Sequence, residues 1–495
     1  MSKASHVDPE SGKMVIGEAV ATPKAQHFEG AKVDRFTGDW ITRNATMDSL
    51  LETSLCKLRA RSRYMVDNDG YAANWMNQNV ANVIGDNGFA LKIEAKQKSG
   101  ADDKTASKKL QQAWKNFCKA ENFTVGRDQS EHAFDCLFLR SIACGGGGLA
   151  RIVRQFDNKF RFAVQGLPID LLDPDYYDNN RRISMSVEKS GFEEVSAYHL
   201  LQNHPGDRWG GSNHGPRTRV DAKNIIHAFI REEFGQSQGK PWLTPVIARL
   251  RQLHEYEAAE LIKARAEAST HIFFETSPEA GPGYQGEGKD PAGNIVMDGS
   301  PGTSHNLPTG VKANLLQPTS PNANYPTFRK GMLRGIAAGL VTNYNILGQD
   351  LEGVNYSSIR QGVLAERDMW KLIQRWYIDT VKRPIFEQWL EWYLLTGDSG
   401  YGISDFERLN HPEFSGRRWD WVDPDKDSKA DERRLKNRLT SHQRVARSRG
   451  EDHETILQEC REDEKNAEGS GKDQQLDLFL DMPEQQTVEA EVAVP

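Results

Sequence analysis

The chain has 495 residues, a formal net charge of −7 at pH 7 and 27% charged residues. With 37% hydrophobic residues it is too apolar to be wholly disordered, so a core can form while some polar length lies in arms, loops or tails. The acidic balance argues against a general nucleic-acid coat, because such proteins carry an excess of Lys and Arg.

The five cysteines form no CxxC pair, which disfavours zinc and thioredoxin-like sites and favours reduced structural thiols. The N-terminal segment lacks an apolar stretch, so no secretion signal is predicted. No apolar run reaches the roughly 18 residues that a membrane span needs, so none is predicted.

Residues 1–45 show little periodicity and predict an extended N-terminal arm, partly disordered. Between residues 47 and 66, leucines recur on one face of a predicted helix: Leu51, Leu55 and Leu58. Three arginines then alternate, and we interpret them as a solvated or subunit-contacting set of charges: Arg59, Arg61 and Arg63.

Helices and short strands share the next part of the chain. Helices are predicted over three ranges: 71–84, 106–120 and 130–144. The run Gly145–Gly148 follows a helix and precedes a strand, the reverse of the order in a phosphate-binding loop, so it predicts a flexible turn. Residues 149–234 are mainly β by their short alternating runs, and strands packed on helices predict an α+β domain.

Several histidines fall in this β-rich region: His199, His204, His214 and His227. They are scattered over strands and loops, whereas a metal site needs convergent ligands, two of them closely spaced. Structural or surface roles are therefore favoured, and no metal ligand is predicted.

Residues 244–269 predict one long helix. An apolar stripe marks one of its faces: Val246, Leu250, Leu253 and Leu261. Alanines keep its second half slim, which suits close packing in a ring of helices, although periodicity alone favours an ordinary contact between two helices.

Residues 275–323 are rich in Gly and Pro, and we expect them to project as a tip between two helices. Short strands are predicted there at a few apolar residues: Ile295, Val296, Met297, Val311, Leu315 and Leu316. The helix at 325–340 carries a glycine at every fourth position, which is typical of close packing against a neighbouring helix: Gly331, Gly335 and Gly339.

A loop at 347–358 precedes an amphipathic helix from about Ser358 to Tyr377. Pro384 then predicts the start of another helix at 385–395.

The C-terminal part of the chain is highly charged. It predicts a pair of exposed helices broken at Arg449–Gly450, with Ser441 placed to cap the second segment. The acidic tail from 464 to 495 predicts disorder.

Signatures of enzymes are weak. The segment GQSQGKP at 235–241 has three residues between its glycines instead of four, and Pro241 stands where a phosphate-binding loop needs Ser or Thr. Neither GxSxG nor HExxH occurs. We therefore predict no enzyme, no catalytic residue and no cofactor, and keep a metal-dependent nuclease or other phage DNA-processing enzyme as the alternative.

Segments spread along the chain resemble, in the same order, the lambda-type portal family of tailed bacteriophages: 59–88, 197–207, 224–246, 350–362 and 421–454. The most specific is DLEGVNYSSIRQG at 350–362, and the resemblance covers roughly residues 40–465. Two positions depart from the family pattern. Gln238 stands where an Arg is usual, and CGGGG at 144–148 replaces an acidic turn.

The resemblance implies a portal-type α+β subunit with a wing, long stem helices, a small clip and a helical crown, assembled into a closed ring of about twelve copies. It implies the following segments: an arm at 1–45, a wing or body at 46–243, a stem helix at 244–269, the clip at 270–324, a second stem helix at 325–342, the channel loop and wing helices at 343–424, the crown at 425–463 and a disordered acidic tail at 464–495.

The resemblance also implies which residues meet DNA and which pack the stem. The residues near DNA would be those of a polar channel loop: Asp350, Asn355, Tyr356, Ser357, Ser358 and Arg360. A loop poor in basic residues suits slippage, since each phosphate that a basic side chain neutralises adds affinity. The residues that pack the stem would be those of the apolar stripe and the three spaced glycines: Val246, Leu250, Leu253, Leu261, Gly331, Gly335 and Gly339.

The family's function involves no bond chemistry by this protein. The ring would occupy one capsid vertex, serve as a channel for genome packaging and ejection, and nucleate procapsid assembly. Its expected partners are other copies of the chain, the terminase large subunit, the major capsid protein with scaffold or protease, a head–tail connector protein and double-stranded DNA bound without sequence preference. The expected locations are the virion and, during assembly, the host cytoplasm.

Overall fold

The computed structural model describes residues 4–7, 14–17, 44–207, 216–268, 272–276, 288–289, 291, 295–296, 311–315, 324–352, 356–419, 424–448 and 453–469. The chain divides into two compact units, Met1–Thr46 and Met47–Pro495. In the first unit, strands β1 (Ala4–Val7) and β2 (Met14–Gly17) pair antiparallel, with Ala4 opposite Gly17. The sequence predicted no strands there, because runs of four residues are too short for alternation to stand out.

The second unit mixes helices with small antiparallel sheets. Its helices are α1 (Met47–Glu52), α2 (Leu55–Asn68), α3 (Gly70–Val83), α4 (Lys104–Phe117), α5 (Ala120–Phe123), α6 (Glu131–Gly145), α7 (Ile247–Ala268), α8 (Tyr325–Leu340), α9 (Tyr344–Leu347), α10 (Tyr356–Tyr377), α11 (Arg383–Leu395), α12 (Phe406–Leu409), α13 (Pro424–Lys436), α14 (His442–Ser448) and α15 (His453–Gly469). Its strands are β3 (Ala90–Ile93), β4 (Gly148–Arg154), β5 (Phe162–Leu167), β6 (Ile183–Ser184), β7 (Val187–Lys189), β8 (Val195–Leu200), β9 (Thr218–Asp221), β10 (Ile225–Ala228), β11 (Ile272–Thr276), β12 (Gly288–Lys289), β13 (Ile295–Val296), β14 (Val311–Leu315) and β15 (Pro412–Ser415).

The helix ends follow local chemistry. Asp69 caps α3, accepting a hydrogen bond from the Ala72 N–H at 2.9 Å, and Ser130 caps α6 through the Ala133 N–H at 3.3 Å. Gly146 ends α6 with a left-handed φ of 81°, and β4 begins at Gly148. The predicted turn between helix and strand at Gly145–Gly148 is therefore confirmed.

The described part of the β-rich region contains short strands, as predicted, and they form two antiparallel sheets. In one, β4 lies between β10 and β5, with Ile152 opposite Val164. The other has the strand order β6-β7-β8-β9. The first sheet packs into the main core beside α4, α6, α10 and α11, where the aromatic rings of Trp114 and Trp389 meet at 5.0 Å.

The long pair α7 and α8 forms a second core with α3. Leu250 and Leu253 of α7 are buried there with Leu333 and Ile336 of α8. Between the two helices, β11 pairs with β14 and β12 with β13, so Ile295, Val296, Val311 and Leu315 lie on strands as predicted. Met297 and Leu316 lie outside the described residues.

The helical C-terminal half differs from the prediction in two places. Helix α10 begins at Tyr356 rather than Ser358. The chain does not break before Pro384, because a π-helical turn at Ile378–Lys382 joins α10 directly to α11. Pro384 therefore lies inside a continuous helical run, directly after the π-helical turn, and the prediction that it starts a new helix is wrong.

The charged C-terminal segment forms three helices instead of the predicted pair. Ser441 caps α14 as predicted, accepting a hydrogen bond from the Arg444 N–H at 3.2 Å. The predicted break at Arg449–Gly450 lies outside the described residues. Helix α15 continues to Gly469, beyond the predicted end at 463, because Glu, Lys and Ala in this segment are good helix formers. Among the described helices, none is long and apolar enough to cross a membrane.

Candidate channel and stem region

The apolar stripe predicted for the helix at 244–269, now α7, divides into a buried and an exposed part. Val246, Leu250 and Leu253 are at most 2% exposed and pack against α8 and α3, whereas Leu261 is 53% exposed. The stripe therefore packs within the subunit only along the first half of α7.

The three spaced glycines of α8 stand in different surroundings. A Cβ atom at Gly339 would lie 2.5 Å from Val246 Cγ1, and one at Gly335 would overlap the guanidinium group of Arg249. A Cβ atom at Gly331 would meet nothing within 4 Å. Close contact between α7 and α8 thus depends on Gly339 and Gly335, and Gly331 plays no part in it.

A polar network ties the outer part of the helix pair to α3. The hydroxyl of Tyr71 donates to Glu257 Oε1 at 3.2 Å, and Arg329 Nε donates to the Tyr71 oxygen at 3.1 Å. Tyr325 on α8 also reaches Glu257, at 3.4 Å. Burial, followed by the charge of Glu257, raises the pKa of Tyr71, which keeps its hydroxyl protonated as the donor.

The predicted channel loop begins with an anchored carboxylate. Asp350 Oδ2 accepts a hydrogen bond from the Tyr344 hydroxyl at 2.6 Å and lies 3.1 Å from Lys330 Nζ on α8. The bond from Tyr344, with that from Lys330, lowers the pKa of Asp350 to about 2, so it stays ionised at neutral pH. The first part of the predicted loop is therefore fastened to α8.

Four of the other predicted channel residues lie in helix α10. Asn355 lies outside the described residues. Tyr356, Ser357 and Ser358 fall in the first turn of α10, so their assignment to the loop is wrong as secondary structure, and Arg360 follows in the same helix.

The three alternating arginines of α2 were predicted as a solvated or subunit-contacting set, and this is wrong for Arg59. Arg59 is 1% exposed and donates from Nε to the Gly145 carbonyl and from Nη2 to Gln238 Oε1, both at 2.8 Å. Its burial lowers its pKa to about 10. Arg63 Nη2 lies 2.5 Å from Asp170 Oδ2, and Arg61 is exposed. A sequence signal existed, because Arg59 follows the buried Leu55 by one helical turn.

The histidines of the β region do not converge. His199 Nε2 lies 2.9 Å from Glu188 Oε2, and His204 Nε2 lies 3.5 Å from Asp170. The ring of His227 lies 4.7 Å from that of Phe229 at an angle of 38°, and burial lowers the pKa of His227 to about 3. His214 lies outside the described residues. Within the ranges that the structure covers, no group of three His, Cys, Asp or Glu side chains is placed to hold a metal ion.

Comparison with known proteins decides the family. The model of "Phage portal protein, lambda family" matches residues 34–374, more than half of the chain. The chain belongs to the lambda family of phage portal proteins. This confirms the resemblance stated from the sequence, although the family match ends before the closing segment at 421–454.

Relatives of the portal family agree with this assignment. The chain is 30% identical to a probable portal protein of Halomonas phage phiHAP-1, covering 88% of this chain and 86% of that protein. It is 22% identical to the portal protein B of Escherichia phage lambda, covering 65% of this chain and 66% of that protein. Among solved structures, a chain from the neck of an empty gene transfer agent (GTA) particle is 12% identical. The match has a TM-score of 0.42 and covers 80% of this chain and 93% of that one.

The two departures from the portal pattern meet in space. Gln238 Oε1 and the Gly145 carbonyl accept from the same buried guanidinium, that of Arg59. Gln238 Nε2 also donates to the Met185 carbonyl at 2.7 Å. These residues therefore join α2, the end of α6 and the segment before α7, and they hold these three parts of the fold together.

The contact between α7 and α8 can be tested with two substitutions on α8, one inside the contact and one outside it. Gly339→Ala should lower the free energy of unfolding by about 1–3 kcal/mol, because the new methyl must displace Val246 or push α7 away. Gly331→Ala should raise it by roughly 0.5–1 kcal/mol, because alanine has the better helix propensity and meets no neighbour. Urea unfolding followed by tryptophan fluorescence measures both. Equal effects of the two substitutions would contradict the helix contact.

Proposed function

We propose that the chain is one subunit of a phage portal ring, built from about twelve copies, through which double-stranded DNA is packaged and ejected. The single observation that carries this proposal is membership of the lambda portal family over residues 34–374. The ring would sit at one capsid vertex and nucleate procapsid assembly. It would bind the terminase large subunit during packaging and a head–tail connector afterwards, with the major capsid protein and its scaffold or protease around it.

In this proposal α7 and α8 are the stem helices, the strands between them belong to the clip, and α13–α15 form the crown. Residues 345–358 would line the narrowest part of the channel. From 335 to 359 the sequence contains no Lys or Arg, and the charge of Asp350 is balanced by Lys330. Such a segment offers DNA few basic side chains to hold it, so it favours sliding over binding.

The experiment is negative-stain electron microscopy of the purified full chain, beside a variant in which residues 350–355 are replaced by glycine. Wild type should form rings with an open central channel. The variant should form the same rings yet retain packaged DNA less well in an assembled capsid, because the loop loses its anchor on Lys330 and its shape.

Two results would contradict the proposal. A filled compact particle without a channel would argue against the ring, and a plasmid-cleavage assay with divalent metal would then test the nuclease alternative. Normal DNA retention by the glycine variant would remove the channel-loop assignment while leaving the ring intact.

A further inference from the structure

A single turn of helix, α9 (Tyr344–Leu347), lies between α8 and the rest of the predicted channel loop. Its backbone bonds include that from the Leu347 N–H to the Asn343 carbonyl, at 2.9 Å. A turn of this length is not stable by itself in water, because nucleating a helix fixes several residues for each hydrogen bond gained. Contacts with other parts of the subunit must therefore hold α9 in place.

One anchor of α9 is the side chain of Asn74, on α3. Its Nδ2 donates to the Ile346 carbonyl at 2.9 Å and to the Leu347 carbonyl at 3.2 Å. The last carbonyls of a helix have no partner within it, so they need donors from elsewhere. Asn74 therefore caps α9 from another helix, 272 residues away along the chain.

A second anchor is Glu366 of α10, which holds the turn between α8 and α9. Glu366 is 5% exposed, and its Oε1 accepts a hydrogen bond from the Thr342 hydroxyl. Burial raises the pKa of this carboxyl group, which favours its neutral form, and a neutral carboxyl still accepts through its carbonyl oxygen. The preceding residue, Val341, has a left-handed φ of 53°, which is strained for a β-branched side chain. Such strain persists only where the surrounding structure holds it.

Further contacts fasten the same segment at its middle and its end. Leu347 is 2% exposed and packs in the second core with residues of α7 and α8. Asp350 is bound by Lys330 of α8, as described above. Helix α10 comes so close that a Cβ atom at Gly362 would overlap the side-chain amide of Asn343. Residues 342–350 are therefore anchored on three helices, α3, α8 and α10.

We propose that residues 342–350 form a fixed rim of the portal channel, and that Asn74 and Glu366 are the residues that position it. The proposal rests on the assignment of residues 345–358 to the channel. Neither side chain has to touch DNA, because each acts through the backbone or the side chain that it holds. The rim keeps its position while DNA passes, instead of moving aside as a valve does.

Amide hydrogen exchange of the purified full chain tests whether the rim is fixed. In Asn74→Asp the ionised carboxylate cannot donate to the two carbonyls. The amides of Leu347, Gly348 and Asp350 should then exchange at least about tenfold faster than in wild type. The matched control is Asn77→Asp, an exposed position on the same helix, which should leave these amides unchanged. Fast exchange of these amides in wild type, or no change in Asn74→Asp, would overturn the fixed rim.

The pair Glu366→Gln and Glu366→Leu tests the second anchor. Glutamine keeps a carbonyl oxygen that accepts from the Thr342 hydroxyl, whereas leucine accepts no hydrogen bond. The Thr342 N–H donates to the Ala337 carbonyl at 3.0 Å. This amide should exchange about tenfold faster in Glu366→Leu and at the wild-type rate in Glu366→Gln. Equal exchange in the two variants would show that Glu366 does not position the rim.

Thr342→Val removes the same hydrogen bond from its other end. It decides the question if Glu366→Leu does not fold, because it leaves the buried side chain of α10 in place. Exchange around α9 should quicken in Thr342→Val as it does in Glu366→Leu. Wild-type exchange in Thr342→Val would remove the role of this bond.

The role in the channel is tested by DNA retention in assembled capsids. Asn74→Asp should form the same rings as wild type yet lose packaged DNA, whereas Asn77→Asp should retain it. Normal retention by Asn74→Asp, when its α9 amides exchange fast and the glycine variant of 350–355 leaks, would overturn the rim while leaving the channel loop. Normal retention by the glycine variant would remove the channel assignment and the rim with it, even where hydrogen exchange confirms the anchors.

Discussion

Replacing Lys382 with Met is expected to lower the free energy of unfolding by about 3–5 kcal/mol, because it leaves buried carboxylates without their counter-charge. Lys382 is 1% exposed, and its Nζ lies 2.7 Å from Asp135 Oδ2 and also contacts Glu131. Asp135 is equally buried and accepts a second bond from the Tyr377 hydroxyl at 2.9 Å. Methionine fills a similar volume, so the loss reports the charge rather than a cavity.

The pH dependence gives this result a distinct signature. Burial raises the pKa of the Asp135 carboxyl, while the Lys382 ammonium group opposes that rise. Without the ammonium group the pKa of Asp135 in the folded state must rise further above its unfolded value of about 4. A raised carboxyl pKa favours folding at low pH and opposes it as pH rises through that pKa. The deficit of Lys382→Met relative to wild type should therefore shrink between about pH 7 and about pH 5.

The control for this substitution is Lys371→Met on the same helical segment. Lys371 Nζ lies 2.9 Å from Asp368 Oδ1, but both side chains are exposed, so the expected loss is about 0–1 kcal/mol. Chemical denaturation at several pH values measures both variants. A Lys382→Met protein within about 1 kcal/mol of wild type, or one whose deficit grows on acidification, would contradict the role assigned to the buried cation.

Replacing Gly239 with Ala is expected to cost about 3 kcal/mol or more, the upper range for overpacking, because the obstacle is backbone rather than a flexible side chain. A Cβ atom at Gly239 would lie 2.1 Å from the Gly146 carbonyl oxygen and 2.7 Å from Phe229 Cβ. Gly146 has a left-handed φ of 81°, and a Cβ atom added there would lie 2.5 Å from the backbone carbon of Lys240. The backbone at Gly146 cannot move away without shifting α6, and the backbone at Gly239 cannot move away without shifting the segment that leads to α7.

Gly70→Ala is the matched control for Gly239→Ala. Gly70 opens α3, and a Cβ atom there would meet nothing within 4 Å. The exchange should therefore be neutral or stabilise the fold by about 0.4–1 kcal/mol, through the unfolded state. Urea denaturation midpoints compare the two. Similar midpoints for both variants would show that the two glycine segments do not touch as closely as the structure has them.

The first of these glycine segments illustrates what sequence can predict. The glycine run between a predicted helix and a predicted strand indicated a turn at 145–148, and the structure confirms it. Local order is enough for this prediction, because a phosphate-binding loop would have the strand before it and the helix after it. That the two segments pack against each other depends on contacts between residues distant along the chain, which no local pattern contains.

The three spaced glycines of α8 also show which part of a contact the sequence predicts and which part depends on the tertiary structure. Their regular spacing predicted a close helix contact, because residues four apart share one face of a helix. The spacing treats the three as equivalent, yet Gly339 and Gly335 face α7 while Gly331 faces open space. The angle at which two helices cross decides how far along their length they stay in contact, and that angle depends on all the packed side chains.

By itself, the sequence determined the family, the α+β class, the long helices and the absence of local enzyme signatures, because motifs, periodicity and turn residues act over a few positions. Only the tertiary structure decided which charges are buried. Arg59 meets Gln238, Glu366 lines a cavity with Trp75, and Lys382 meets Asp135. Each pair joins residues far apart in the chain. Whether a charged side chain is solvated or paired depends on what the fold brings beside it, and the usual expectation of a solvated charge fails in each case.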